Sequence, residues 1–199
     1  MGKIFETTWK RNLFSFFFLI LLFAVDQVTK YLAVTHLKRT PGISVISGVF
    51  ELQYLENFGA AFGIMQNQTI ILVIVTITIL VFFCYIFFKM PLSGHFASLY
   101  IILILLASGA LGNMFDRIRN GYVVDFFYFS LIDFPIFNVA DCYVVISVFL
   151  FAFLFLFYYK DEDAELLKQT IFSKKKEGDF QKEQPKEEKT GEKNNGERR

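Results

Sequence analysis

Cysteine is scarce in this chain of 199 residues: there are two, Cys84 inside an apolar run and Cys142 beside Asp141, with no Cys-x-x-Cys pair and no Cys/His ligand spacing. A disulfide framework and a zinc site are therefore not expected. Histidine is equally rare, with His36 and His95 far apart, and neither His-Glu-x-x-His nor Gly-x-Ser-x-Gly occurs. Metalloprotease and serine-hydrolase machinery thus have no candidate residues, and Cys142 has no evident His base. Charge excess is missing too. The 20 Lys/Arg against 19 Asp/Glu leave +1, whereas a nucleic-acid partner calls for a basic face and a strong excess.

What the chain does have is apolar bulk, since 54% of its residues are hydrophobic and 27 are Phe. Eleven Lys/Arg and eleven Asp/Glu fall in residues 160–199, which leaves nine and eight for the first 159 positions. Body and tail are different materials, and we divide the chain into a membrane body, 1–159, and a charged tail, 160–199. The tail, rich in Lys, Glu, Gln, Asn and Gly, cannot bury a core and is expected to be largely disordered, apart from a helical continuation through about Thr170. No internal repeat is visible.

Four segments, Leu13–Val34, Ile70–Phe88, Phe96–Phe115 and Val139–Tyr159, approach the roughly 20 helical residues needed to cross a hydrocarbon core about 30 Å thick. The expected fold is an all-α membrane protein, a four-transmembrane-helix bundle. Lys3, Lys10 and Arg11 before the first segment raise the possibility of a signal peptide, but the run is long and no small-residue cleavage site follows, so it is read as a retained helix. Lys3, Lys10, Arg11, Lys89, Lys160, Lys168 and Lys174–Lys176 fall on one side, and Lys38, Arg39, Arg117 and Arg119 on the other. Both termini are therefore expected in the cytoplasm, and the loops 35–69 and 116–138 outside. Within the first loop, Gly42 to Glu56 mixes β-branched and aromatic residues around a Ser47-Gly48 turn signal, which predicts a small extracytoplasmic hairpin.

Depth makes the charges informative. At 1.5 Å per residue, Asp26 lies about 20 Å into the first helix and Lys30 about 6 Å further. Asn113, Asp116 and Arg117 close the third helix, Asp125 follows in the loop, and Asn138 and Asp141 open the fourth. These polar residues converge on one leaflet, where ionisable groups are costly and point to a functional site. Each also has a structural reading. Asn138 and Asp141 fit an N-cap and its N3 carboxylate, and Asp125 alone fits a solvated loop residue. Asp26 and Lys30, at i and i+4, fit an ion pair. Gly109, Asn113 and Arg117 form a stripe in which Gly permits close helix packing and Arg orients a carboxylate or a lipid phosphate. Lys38 and Arg39 read as surface charges.

Five pieces carry a family resemblance: Asp26-Gln-Val-Thr-Lys30, Asn57-Phe-Gly-Ala-Ala-Phe62, Gly109-Ala-Leu-Gly-Asn113-Met-Phe-Asp116-Arg117, Gly121-Tyr-Val-Val-Asp125-Phe and Phe137-Asn138-Val-Ala-Asp141. Over about residues 10–159 the chain resembles the lipoprotein signal peptidases, the type II signal peptidases of bacteria. The resemblance implies an intramembrane aspartyl endopeptidase that removes the signal peptide of a prolipoprotein just before a diacylglyceryl-modified cysteine. It makes Asp125 and Asp141 the catalytic pair and assigns Asp26, Lys30, Asn57, Gly109, Asn113, Arg117 and Asn138 to supporting or substrate-contacting positions. The implied setting is the bacterial cytoplasmic membrane, multi-pass, with the site near the outer leaflet. The implied partners are the lipid-modified precursor and membrane lipids, with the chain working as a monomer and no cofactor. Cys142 departs from the small hydroxyl or alanine-like residue expected there, and the charged tail has no counterpart in a compact family member.

Side-chain chemistry agrees with that implication. Amide hydrolysis needs an activated water and a proton for the departing nitrogen. Two neighbouring carboxyls supply both, because like charges at close range resist double ionisation and share a proton near neutral pH. Which is base and which is acid stays open at this stage. The rival reading is a noncatalytic transporter or assembly subunit that uses the interfacial carboxylates for ions or contacts. A lipid-modifying transferase lacks an obvious nucleophile.

Overall fold

The computed structural model describes residues 2–60 and 64–172. Its elements run α1 (Thr8–His36), β1 (Ile43–Ile46), β2 (Phe50–Asn57), α2 (Thr69–Lys89), α3 (Ala97–Asn120), β3 (Val123–Tyr128), α4 (Val139–Phe157) and α5 (Asp161–Phe172). Helices α1 to α4, with α3 extended back through a short 3-10 turn at Gly94, are each long and apolar enough to cross a membrane. In hydrocarbon, every backbone N–H and C=O has to be satisfied within the segment, and a helix does that alone. Their outer faces are correspondingly greasy, with Ile70, Phe149 and Phe157 largely exposed to where lipid would lie.

Helix α3 is the hub. Nine of its 24 residues are buried inside the protein, against one of 21 in α2, five of 29 in α1 and two of 19 in α4. One reason is its run of small residues. A Cβ placed on Gly109 would lie 2.5 Å from the Ala140 carbonyl, so α3 and α4 touch backbone to backbone there. The end of α3 away from the sheet packs Leu99, Tyr100, Ile102 and Leu103 against Met90 and Phe96. The helix stops at Gly121, whose φ of +84° suits the left-handed cap that glycine adopts without strain, and whose N–H returns to the Arg117 carbonyl at 3.0 Å.

The sequence predicts one hairpin; the structure has a three-stranded antiparallel sheet in the order β1-β2-β3. The hairpin is β1 and β2, turning at Gly48 with φ +68°. The third strand comes from the 116–138 connection, read from sequence as a loop, and pairs Leu55 with Asp125 and Asn57 with Val123. Asp125 is consequently a strand residue at 1% exposure, not a solvated loop residue. Alternation along β3 explains its burial: Val124 and Phe126 pack on Ala33 and Leu37 of α1, which turns Val123 and Asp125 to the opposite face. An isolated bridge between Phe127 and Phe137 then seats the start of α4 beside β3.

Beyond Phe157 the chain does not continue the same helix. Tyr158 to Lys160 break it, Lys160 N–H bonds the Asp163 carboxylate at 3.0 Å, and α5 starts afresh. Helix α5 is held to the bundle by Tyr85, which donates to the Ile171 carbonyl at 2.7 Å, and by His95 and Asp163 at 2.9 Å. The expected disorder of the remaining tail concerns residues 173–199, which lie outside the described residues.

Candidate active site

The sheet end of the bundle holds a cavity of about 850 Å³ whose wall includes Asn57, Asn113, Arg117, Asp125, Asp141 and Cys142. Asp141 reaches it as the third residue of α4. Asn138 caps that helix by accepting the Asp141 N–H at 3.0 Å, and Asp141 returns the bond by accepting the Asn138 N–H at 3.1 Å, a closed capping box. The structural reading of this pair therefore holds, and it is the means by which Asp141 is placed at the cavity.

Three asparagine amides hold the two carboxylates. Asn138 donates from Nδ2 to Asp125 at 2.6 Å and to Asn113 Oδ1 at 3.1 Å. Asn57, at the end of β2, donates to the other Asp125 oxygen at 2.8 Å, and its own Oδ1 accepts the Gly59 N–H at 2.9 Å. Asn113 donates to Asp141 at 2.8 Å. Asn138 thus bonds both acids, one through its side chain and one through its backbone. Burial, with the Asp141 charge adding to it, pushes Asp125 up to about 7 against the pull of the Asn57 and Asn138 amides.

Behind the amides lies a buried ionic cluster. Lys30 is 3.0 Å from Asp26 and 3.1 Å from Asp116, and it donates to Asn113 Oδ1 at 2.9 Å. The i,i+4 ion pair expected from sequence is present, joined by a second carboxylate that the sequence reading placed at the end of the third helix without giving it a role. Gln27, likewise unassigned, bonds both carboxylates, at 3.0 Å and 3.1 Å. The signal for Gln27 was its place next to Asp26. For Asp116 it was a carboxylate one turn beyond Gly112, whose missing side chain leaves room for Asp26.

Arg117 does not pair with a carboxylate at hydrogen-bond distance among the described residues. It donates to the Gly59 carbonyl at 2.7 Å and to the Asn113 carbonyl at 3.4 Å, and so ties the turn after β2 to α3. Gly109 lies against Ala140 and Val144 of α4, where it lets the two helices pack closely behind the cavity wall. Lys38, read as a surface charge, pairs with Glu56 at 2.9 Å. That bond, with the Tyr54 hydroxyl, holds Glu56 below the usual carboxylate range at the cavity rim.

Four apolar spans with four carboxyls, four amides and an ammonium gathered at one end define a multi-pass membrane protein built around a buried polar site. Residues 18–157 match the family described as signal peptidase (SPase) II. The chain is 44% identical over 133 residues to the lipoprotein signal peptidase of Clostridioides difficile strain 630, covering 66% of this chain and 88% of that one. It is 38% identical over 145 residues to that of Streptococcus pyogenes serotype M5, covering 73% and 92%. A bacterial membrane enzyme solved by the in meso method at 2.3 Å superposes with a TM-score of 0.64 at 34% identity, over 82% of this chain and 93% of its own. The chain belongs to the signal peptidase II family and is a membrane peptidase.

Proposed function

We propose that this peptidase is of the aspartic type, with Asp125 and Asp141 as its catalytic pair, and that it releases the signal peptide of a prolipoprotein by cutting just before a diacylglyceryl-modified cysteine. The supporting observation is that two acids sixteen residues apart line one cavity and share Asn138 as a hydrogen-bond donor. In the reaction, Asp141 takes a proton from water as the water oxygen bonds to the scissile carbonyl carbon. Asp125 gives its proton to the carbonyl oxygen. Collapse of the tetrahedral intermediate breaks the C–N bond as Asp141 gives its proton to the nitrogen and Asp125 takes the proton of a gem-diol hydroxyl, which leaves the carboxylic acid and amine products and restores the pair. The assignment of the acid to Asp125 follows from its burial, which keeps the proton on it up to about pH 7.

Substrate access fits the same geometry. The cavity wall runs from the acids onto Val144, Val145 and Ile146 of α4, and Val145 and Ile146 are about half exposed on the bundle's outer face. An apolar signal helix with its acyl chains then arrives sideways from the bilayer. Lys/Arg placement supports cytoplasmic termini, with the site at the outer leaflet. The body, residues 1–159, carries this chemistry as a monomer, and the tail takes no part in it.

The deciding assay is cleavage of a lipid-modified precursor and of its unlipidated form by the wild type, Asp125→Asn and Asp141→Asn. Cleavage of the lipidated form by the wild type alone is expected. Normal processing by both variants would refute the assignment.

A further inference from the structure

Two carboxylates behind the cavity make the same contact on opposite sides of the site. Asp26, from α1, accepts the backbone N–H of Ala140 at 3.0 Å, and Asp116, from α3, accepts that of Val124 at 3.1 Å. Ala140 immediately precedes Asp141, and Val124 immediately precedes Asp125. Lys30 joins the two carboxylates at 3.0 Å and 3.1 Å, and Gln27 Nε2 joins them again. All three ionic residues are at most 3% exposed.

The third donor of Lys30 goes to Asn113 Oδ1 at 2.9 Å, so three N–H groups meet three acceptors. An ammonium can only donate, which obliges Asn113 to turn its oxygen inward. Its Nδ2 is left facing Asp141 at 2.8 Å. A cluster that merely stabilised the bundle could end on any pair of amides. This one ends on the amides of the two residues immediately before the acids.

We infer that Asp26, Lys30 and Asp116 form a spacer that sets the separation of Asp125 and Asp141 through the backbone at Ala140 and Val124. The three are positioning residues, outside the catalytic pair. This rests on the aspartic reading above. A fixed separation matters because a misplacement of about 1 Å at a reacting group can cost about 10²-fold in rate. It matters again because the separation governs how strongly the two titrations are coupled.

The test compares alanine with asparagine in the full-length protein, since asparagine keeps an acceptor oxygen for the N–H but discards the charge. Asp26→Ala and Asp116→Ala are expected to lower kcat on a lipid-modified precursor about 10²-fold, with KM within about twofold, and to change the gap between the two limbs of the pH–rate profile. Their amides at Ala140 and Val124, respectively, should exchange hydrogen faster. Asp26→Asn and Asp116→Asn should hold kcat within about tenfold of the wild type, although their thermal midpoints fall. Alanine variants with wild-type kcat and pH profile per folded molecule would overturn the spacer, and so would asparagine variants that lose as much kcat as alanine. Where an alanine variant does not fold, the asparagine variant decides, and a loss beyond tenfold counts against the spacer. If the wild type itself leaves the lipidated precursor intact, the aspartic reading has failed. Hydrogen exchange then judges the spacer alone, and amides unaffected by the substitutions would sink it.

Discussion

Lys30 lies 3.0 Å from Asp26, one helical turn away on α1, and both side chains are sealed from solvent. An ion pair in such a place stabilises only while it is complete, because the remaining charge keeps its desolvation cost when its partner is removed. Here two acids depend on one ammonium.

Lys30→Met should therefore destabilise the protein by about 3–5 kcal/mol, read as a lowered thermal midpoint in detergent. Adding Asp26→Asn and Asp116→Asn to that variant should recover most of the loss, since the neutral isosteres leave no unpaired charge. A single variant as stable as the wild type would show that the cluster contributes nothing to the fold.

The raised pKa of Asp125 has a definite sign for stability. With a folded value of about 7 against an ordinary 3.8, the folded protein binds more protons than the unfolded chain between those limits. Stability is fully present below about pH 4 and declines as pH rises to about 7. Asp125→Asn removes that dependence, so the variant should melt several degrees above the wild type at pH 8 and close to it at pH 4. Melting curves that run parallel across this range would contradict the burial argument.

Asp141 serves both the cavity and the start of α4, and two substitutions separate those roles. Asp141→Asn keeps an oxygen that can accept the Asn138 N–H, while Asp141→Ala does not. Both should abolish cleavage, but only the alanine variant should lose the capping contribution, about 0.5–2 kcal/mol. Equal melting points for the two would argue against the capping box.

At Gly109 the space is already taken, with the Ala140 carbonyl 2.5 Å from a hypothetical Cβ. Gly109→Ala must push α4 away from α3, at a cost of about 1–3 kcal/mol. Because Ala140 is the neighbour of Asp141, kcat should fall with it. The paired measurement is a melt and a cleavage assay on the same preparation, and unchanged values in both would show that the helices repack freely.

The spans were legible from the sequence because hydropathy over twenty residues is a strong local signal, and their ends shifted only by a few positions, as with α1, which runs to His36 instead of Val34. Asp125, Asp141 and Asn138 were legible through their motifs, and the capping box through the Asn-x-x-Asp spacing. Strand β3 was not, because Val-Val-Asp-Phe is buried on both faces and shows no alternation of polarity, and its partner strand lies some seventy residues earlier. The role of Asp116 was hidden for a similar reason: its partners Lys30 and Val124 come from another helix and a strand. Contacts of that kind leave no periodic trace. The break at Tyr158 to Lys160 falls at the composition change that divides body from tail, and the reading of a helical continuation missed only that α5 starts afresh there, with Asp163 accepting the Lys160 N–H.

The pair of acids receives its hydrogen bonds from β2, α3 and the entry to α4, and one of the acids sits on β3. During synthesis these segments emerge one after another, and the last of them is α4. Until that final helix inserts and docks, Asp125 has no Asn138 and Asp141 has no place in the bundle. The hydrogen-bonded cluster around the two acids is therefore closed only when the last span docks, after every other segment that supplies it is in place.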